Sequence, residues 1–374
     1  MVEDIDSWDY FLSFIPQQEQ IGEEEKQELL RNWGHLRKVF GEDWFKKEEN
    51  RIHPLRFIFH NHAPWCLRTI SELGIGIESL KKKENFGEIL KRIITMNTYE
   101  GFEGAYHEFW VGYDLFKLGV PFEYLKQHKK QKTSDIIVNV GERKIFLEVT
   151  KKNNPDDPLN SYQNSQKISW FLWSKGALAD DFVFYFTILK PLSTPRAEQI
   201  LHICEEMLEK AKKSGFEEHH MSNVIDMYIT KKENSDKVPK EKRIMQWKTP
   251  DFNELNRIKG TIKEKAAQLE TGNPAILIIF DAHLWIQYST DPLYSNLEED
   301  LREYVNQYTN LSAVVIEIEM TSGHEEPFIK EDERYIVVKG CDKDLLRSKN
   351  KIIILNEFAD YPLSSEEKEL LKKM

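Results

Sequence analysis

Two carboxylates in the stretch from Ser134 to Lys152 stand where a folded protein needs a reason to keep them. Asp135 opens a run rich in β-branched residues, Ile136 to Val140, and Glu148 lies near the end of a second run, Lys144 to Thr150. Gly141 and Glu142 between the runs read as a tight turn, so two adjacent antiparallel strands are expected. A carboxylate inside a core strand is costly unless it is paired or binds a cation. One acid at the start of the first strand and one at the end of the second can lie side by side. That arrangement suits a hard divalent cation.

The elements that must hold this hairpin in place are readable on both sides of it. From Thr98 to Leu118 an amphipathic helix is expected, with Phe102, Ala105, Tyr106, Phe109 and Trp110 among its apolar residues and Gly119 as its stop. Glu108 lies between Tyr106 and Phe109-Trp110, at the edge of the buried face. Val120 to Leu125 reads as a first strand, followed by the basic segment Lys126 to Lys132. Further on, Asn253 to Leu269 places Leu255, Ile258, Ile262, Ala266 and Leu269 on one helix face, and Ala275 to Phe280 reads as a buried strand.

Elsewhere, helices are expected over Glu23–Phe40, Leu80–Ile94, 166–179, 195–213 and 297–308, with a terminal helix from Ser364. Strands are expected over 182–189, 224–230, 313–319, 335–338 and 352–355, and residues 231–249 read as a charged loop. Strands alternating with helices imply an α/β fold, a mixed central sheet flanked by helices with a helical N-terminal extension. The expected divisions are a helical region over 1–95, an α/β domain over 96–360 with an insertion at about 155–250, and a C-terminal helix over 361–374.

Composition sets the bounds. The 374 residues can bury a sizeable core, and a net charge of −11 argues against a surface that grips nucleic acid everywhere. Any such contact would be a local basic patch or would run through a bridging cation. The three cysteines, Cys66, Cys204 and Cys341, lie far apart without metal-ligand spacing, which favours a reducing cytoplasm. The acidic N-terminus lacks the pattern of a signal peptide, and the longest apolar run has six residues, so no membrane span is expected. His53, His60 and His62 lie among aromatics with no acid or cysteine at ligand spacing, and are read as packing or surface histidines. The run Lys81-Lys82-Lys83 reads as a solvated face.

Taken together, the segment His107 to Gly119, then Ser134-Asp135, then Phe146-Leu-Glu-Val-Thr-Lys151 resembles the PD-(D/E)XK nuclease superfamily, whose fold is restriction endonuclease-like. The resemblance covers roughly residues 98–152 and 253–281. It implies Glu108 as the helix acid, Asp135 as the motif aspartate and Glu148 as the motif acid, the three holding Mg²⁺ or Mn²⁺ for hydrolysis of phosphodiester bonds. Serine stands in place of the motif proline, and Thr150 stands two positions after Glu148 where the family usually has lysine. Adjacent strand residues point to opposite faces, so Lys151 reaches the acids only if a bulge or the strand end turns it back. Lys265 or Lys263, from the later helix, is the alternative. Gln268 is implied to help position the site or the phosphate backbone, and Lys129, Lys130 and Lys132 to track nucleic acid by charge. A second reading keeps the fold without the activity, as a module that binds nucleic acid or a protein partner; a third takes the acids as structural in an unrelated α/β protein, Asp135 capping or pairing with Lys144 and Glu148 pairing with Lys151 or Lys265. A homodimer is left open.

Overall fold

A computed structural model describes residues 6–47, 50, 53–96, 99–126, 134–151, 164–165, 167–169, 171–172, 182–247, 254–269, 272–280, 297–320, 328–331, 335–339 and 348–374. The first part of the chain supplies α1 (Trp8–Leu12), α2 (Glu23–Phe40), α3 (Pro54–His60), α4 (Pro64–Leu80), α5 (Phe86–Thr95) and α6 (Tyr99–Lys117), then β1 (Phe122–Tyr124), β2 (Ile136–Val140) and β3 (Arg143–Lys151). Next come β4 (Phe182–Ile188), α7 (Thr194–Ser214), β5 (Phe216–Met221), β6 (Ile225–Lys231) and β7 (Met245–Trp247). The chain ends with α8 (Glu254–Ala266), β8 (Ala275–Phe280), α9 (Leu297–Val305), β9 (Ala313–Met320), β10 (Phe328–Glu331), β11 (Tyr335–Lys339), β12 (Ser348–Leu355) and α10 (Ser365–Lys373). Two compact units result, Met1–Asn153 with Glu254–Met374, and Asn154–Asn253. Each carries a mixed sheet, so the fold is mixed α/β.

In the first unit the strand order is β1-β2-β3-β8-β9-β12-β11-β10. The centre, β3-β8-β9, is parallel, and the outer pairings are antiparallel. Strand β8, Ala-Ile-Leu-Ile-Ile-Phe, is buried along its whole length, as a central parallel strand must be. Its alternation assigns the two faces. Ile276, Ile278 and Phe280 join Leu147 and Val149 in the core that includes α6, while Ala275, Leu277 and Ile279 join Ile258 and Ile262 of α8 and Leu301 and Val305 of α9. Helices thus cover both faces of the sheet.

The N-terminal helices share the α6-side core. Trp8, Phe11, Trp33, Trp44, Phe45 and Phe59 are buried in the same cluster as Phe109, Leu147 and Ile278. The helix expected over Leu80–Ile94 starts later, as α5 from Phe86, and Leu80 is the last residue of α4. Asn85 takes a left-handed φ of 61°, so α4 ends at Leu80 and α5 starts afresh with Phe86 buried. Lys81, Lys82 and Lys83 lie in the turn between them.

The second unit has strand order β5-β6-β4-β7, with Ile200 and Cys204 of α7 packed among Phe184, Phe186, Ile225 and Met227. Residues 231–249, expected as a loop, contain two short 3-10 turns and β7, which pairs parallel to β4 through Phe186 and Met245. The helix expected over 166–179 falls largely outside the described residues. Among the described residues no helix is long and apolar enough to cross a membrane.

Candidate active site

Strands β2 and β3 form the expected hairpin, with Ile136 opposite Leu147 and Gly141 turning at a φ of 59°. Just before β2 the ladder slips by one residue. Asp135 donates its N–H to Leu147 O at 3.0 Å, although Leu147 is already paired with Ile136. Slips of this kind re-aim a side chain, and here the Asp135 carboxylate accepts the Val149 N–H at 2.8 Å. Asp135 and Glu148 are both buried.

Alternation along β3 decides which residues share the site. Ile145, Leu147 and Val149 enter the α6-side core and Phe146 enters the α8-side core, so Glu148 and Thr150 face α8. Lys265, in the last turn of α8, donates from Nζ to Glu148 Oε1 at 2.7 Å. Lys151 points the other way and pairs with Glu103 of α6. Thr150 bonds locally, its hydroxyl donating to Lys151 O at 3.2 Å. Of the two lysine sources expected, the one on the later helix is at the acid. Lys263 is exposed.

Burial pushes the Glu148 carboxyl up to about 7; the neighbouring charge of Asp135 adds to the rise, and Lys265 opposes it. Burial works against the Lys265 ammonium, but Glu148 and Asp135 outweigh it and hold the lysine above its usual range. Lys265 is therefore charged at neutral pH.

Glu108 stands on α6 and is buried. Burial raises its carboxyl, Arg92 of α5 counters with an ion pair, and the charge of Glu148 raises it further. Glu108, Glu148 and Asp135 thus lie close enough to repel one another in sequence, Glu108 against Glu148 and Glu148 against Asp135. Tyr124 of β1 completes the neighbourhood. Burial raises its hydroxyl above the usual range, and Glu108 adds to the rise. Gly112, one turn beyond Glu108, makes room for that ring, because a Cβ there would lie 1.8 Å from Tyr124 Oη. Two buried hydroxyls border these acids without a hydrogen-bond partner among the described residues, Tyr124 Oη and Ser134 Oγ.

Lys129, Lys130 and Lys132 lie outside the described residues. Gln268 sits half-buried in the turn after α8, its N–H bonded to Lys265 O at 2.8 Å. The three histidines pack on aromatic rings: His53 against Trp44 and Phe102, His60 against Phe11, and His62 stacked on Phe14. Arg92 was not foreseen from the sequence. Its only signal there is a cation in the last turn of a helix that precedes α6, which is too common to single it out.

Among the described residues no three His, Cys, Asp or Glu side chains converge as a ready-made metal-ligand set. Two of the acids are instead paired with internal cations, Glu108 with Arg92 and Glu148 with Lys265. No protein-family model matches the chain, and neither curated proteins nor solved structures give a significant match.

Proposed function

We propose that the chain is a nuclease that hydrolyses phosphodiester bonds in nucleic acid with Mg²⁺ or Mn²⁺, on a restriction endonuclease-like core of α6, β1–β3, α8 and β8. The observation that carries this reading is the Lys265–Glu148 contact at 2.7 Å. It brings a lysine to the motif acid in a chain whose strand has Thr150 where the lysine was expected.

The residues present fit a hard divalent cation. The donors are carboxylate oxygens, Asp135 and Glu148 repel each other in its absence, and the unpartnered hydroxyls of Ser134 and Tyr124 suit an ion that keeps several waters. Asp135 and Glu148 would hold it, with Glu108 behind them. Such an ion, when bound, offsets phosphate charge and acidifies a water.

The chain's own groups divide the remaining work. Lys265 stays protonated, so it acts by charge and by donating hydrogen bonds to a phosphate oxygen or an attacking water, and not as a base. Burial and the charge of Asp135 raise Glu148 to about 7 in the metal-free protein, so ion binding there would release its proton and be favoured at alkaline pH. Lys151, committed to Glu103 on the other sheet face, takes no part. Lys129, Lys130 and Lys132 shortly precede Asp135 in the chain and would follow the phosphate backbone.

Incubation with single- and double-stranded DNA and RNA, with Mg²⁺ or Mn²⁺ and with chelator, tests this reading. Cleavage that needs the ion and disappears in Asp135→Ala and Glu148→Ala supports it; cleavage that persists in both variants identifies a contaminant and sinks it. The second reading, a catalytically silent module that binds nucleic acid or a protein, draws on Thr150 and on the internal cations already seated on Glu108 and Glu148. Binding without cleavage under all these conditions would favour it.

A further inference from the structure

Arg92 reaches the acids from α5, in the N-terminal helical region that lies outside the span resembling the nuclease superfamily. Ile89 and Ile93 bury the neighbouring face of α5, and Trp44 Nε1 donates to Ile94 O at 3.1 Å, so the turn that carries Arg92 is fixed. The Arg92 side chain is nevertheless 28% exposed, whereas that of Glu108 is 6% exposed.

Pairing with Glu108 uses little of the guanidinium. One nitrogen, Nη2, donates to one oxygen, Glu108 Oε2, and among the described residues Nε and Nη1 have no acceptor. A guanidinium carries its N–H donors in a rigid fork that matches the paired oxygens of a carboxylate or a phosphate. A single-point contact with Glu108 orients this fork and leaves the rest of its donors for another anion.

The position suits a nucleic-acid strand. The charges that bear on Glu148 are those of Asp135 and Lys265, while Arg92 bears on Glu108, which in turn feels Glu148. Arg92 therefore stands one carboxylate away from Glu148. A polynucleotide repeats its charge at every phosphate, so a strand with one phosphate at Glu148 offers the next to a cation one step off. In a chain of net charge −11, contact with such a strand has to be made by local cations of this kind.

We infer that Arg92 is a substrate-binding residue, its guanidinium held in place by Glu108 and taking a backbone phosphate next to the one attacked at Glu148. This rests on the nucleic-acid reading of the same site. The helical region before α6 then supplies part of the substrate surface.

Fluorescence-anisotropy titration of the full chain tests the inference, with labelled DNA and RNA oligonucleotides, single-stranded and duplex, in EDTA and in Ca²⁺, over a series of salt concentrations. Arg92→Met alone would leave Glu108 buried and unpaired, which is destabilising whatever Arg92 binds. The informative pair is therefore Arg92→Met with Glu108→Gln against Glu108→Gln alone, with circular dichroism as the check of folding. Arg92→Gln takes the place of Arg92→Met should that chain not fold. On the probe that the wild type binds most tightly, the double variant should bind roughly tenfold more weakly than Glu108→Gln, with a slope of log affinity against log salt smaller by about one. Lys91→Met, which removes the same charge from the exposed neighbouring position, should bind as the wild type does.

Equal affinities and slopes in the double variant and Glu108→Gln, or an equal loss in Lys91→Met, would overturn the inference: Arg92 would then be only the partner of a buried acid, or general charge. Should the wild type cleave nucleic acid with Mg²⁺ while that pair binds alike, the nuclease reading stands and only the inference falls. An Arg92 effect without cleavage under any condition keeps the inference, for a silent binding module, and sinks the nuclease reading. If no probe binds and nothing is cleaved, both fall.

Discussion

Lys265 Nζ meets Glu148 Oε1 at 2.7 Å although the two residues are 117 apart in the chain. The contact joins the last turn of α8 to the middle of the sheet. Ile258 and Ile262 bury one side of α8 against β8 and β9, which leaves Lys265 at the border of that buried stripe and over β3. On the proposed nuclease reading, a cation delivered this way would take the place of one at position 150, the strand position that shares a face with Glu148.

Glu148→Gln should stabilise the metal-free protein at alkaline pH. The folded carboxyl, at about 7, lies above its ordinary value of 4.5, so the native state holds the proton that the unfolded chain releases. Wild-type stability therefore falls as pH rises from about 4.5 to about 7, and glutamine does not share that loss. Urea unfolding should show Glu148→Gln ahead by on the order of 2–3 kcal/mol at pH 8, with the gap closing by pH 4.5. An equal gap at both pH values would refute the assignment of a buried, raised carboxyl.

The histidines predict lability at the acid end. Burial lowers His53 to about 4 and His60 to about 3, both kept neutral among aromatic rings. Their contribution is complete above the ordinary value of 6.5 and is lost as pH falls through the folded values. His53 also caps α3, its Nδ1 accepting the Leu55 N–H at 3.2 Å. His53→Asn, which keeps an N-cap acceptor but cannot titrate, should flatten the stability profile between pH 6.5 and 4. An unaltered slope would mean that His53 is not held neutral.

Two glycines of α6 should respond in opposite senses to alanine. At Gly112 a new Cβ would lie 1.8 Å from Tyr124 Oη and 2.5 Å from its Cζ. Gly112→Ala should lose about 1–3 kcal/mol or more despite its better helix propensity. At Gly104 nothing lies within 4 Å, and Gly104→Ala should gain up to about 1 kcal/mol. Thermal melts decide both, and a Tyr124→Leu background should relieve the Gly112 penalty.

The central hairpin was legible because its signals are local: β-branched runs on either side of Gly141, and two acids that break an apolar pattern. The buried strand β8 was legible for the same reason, as a short unbroken apolar run. Strand β5, Phe-Glu-Glu-His-His-Met, was not, because an edge strand with mostly polar, half-buried side chains shows no apolar alternation, and its pairing with β6 is a tertiary fact. The same limit applied within the site. That Lys151 turns away from Glu148 followed from strand alternation, though its partner Glu103 did not, and the choice of Lys265 over Lys263 depends on the angle at which α8 crosses the sheet. The pairing of Arg92 with Glu108 depends on how α5 packs against α6. Neither is written in spacing along the chain.

The central claim is that Lys265 stands in for the lysine absent at position 150, and single-turnover nucleic-acid cleavage with Mg²⁺ tests it most directly. The variants are Lys265→Met, Lys151→Met and the double substitution Lys265→Met with Thr150→Lys. The account predicts a loss of roughly 10²-fold or more for Lys265→Met, near wild-type rates for Lys151→Met, and partial recovery in the double variant, whose new lysine shares a face with Glu148. Wild-type cleavage by Lys265→Met, or a loss confined to Lys151→Met, would contradict it.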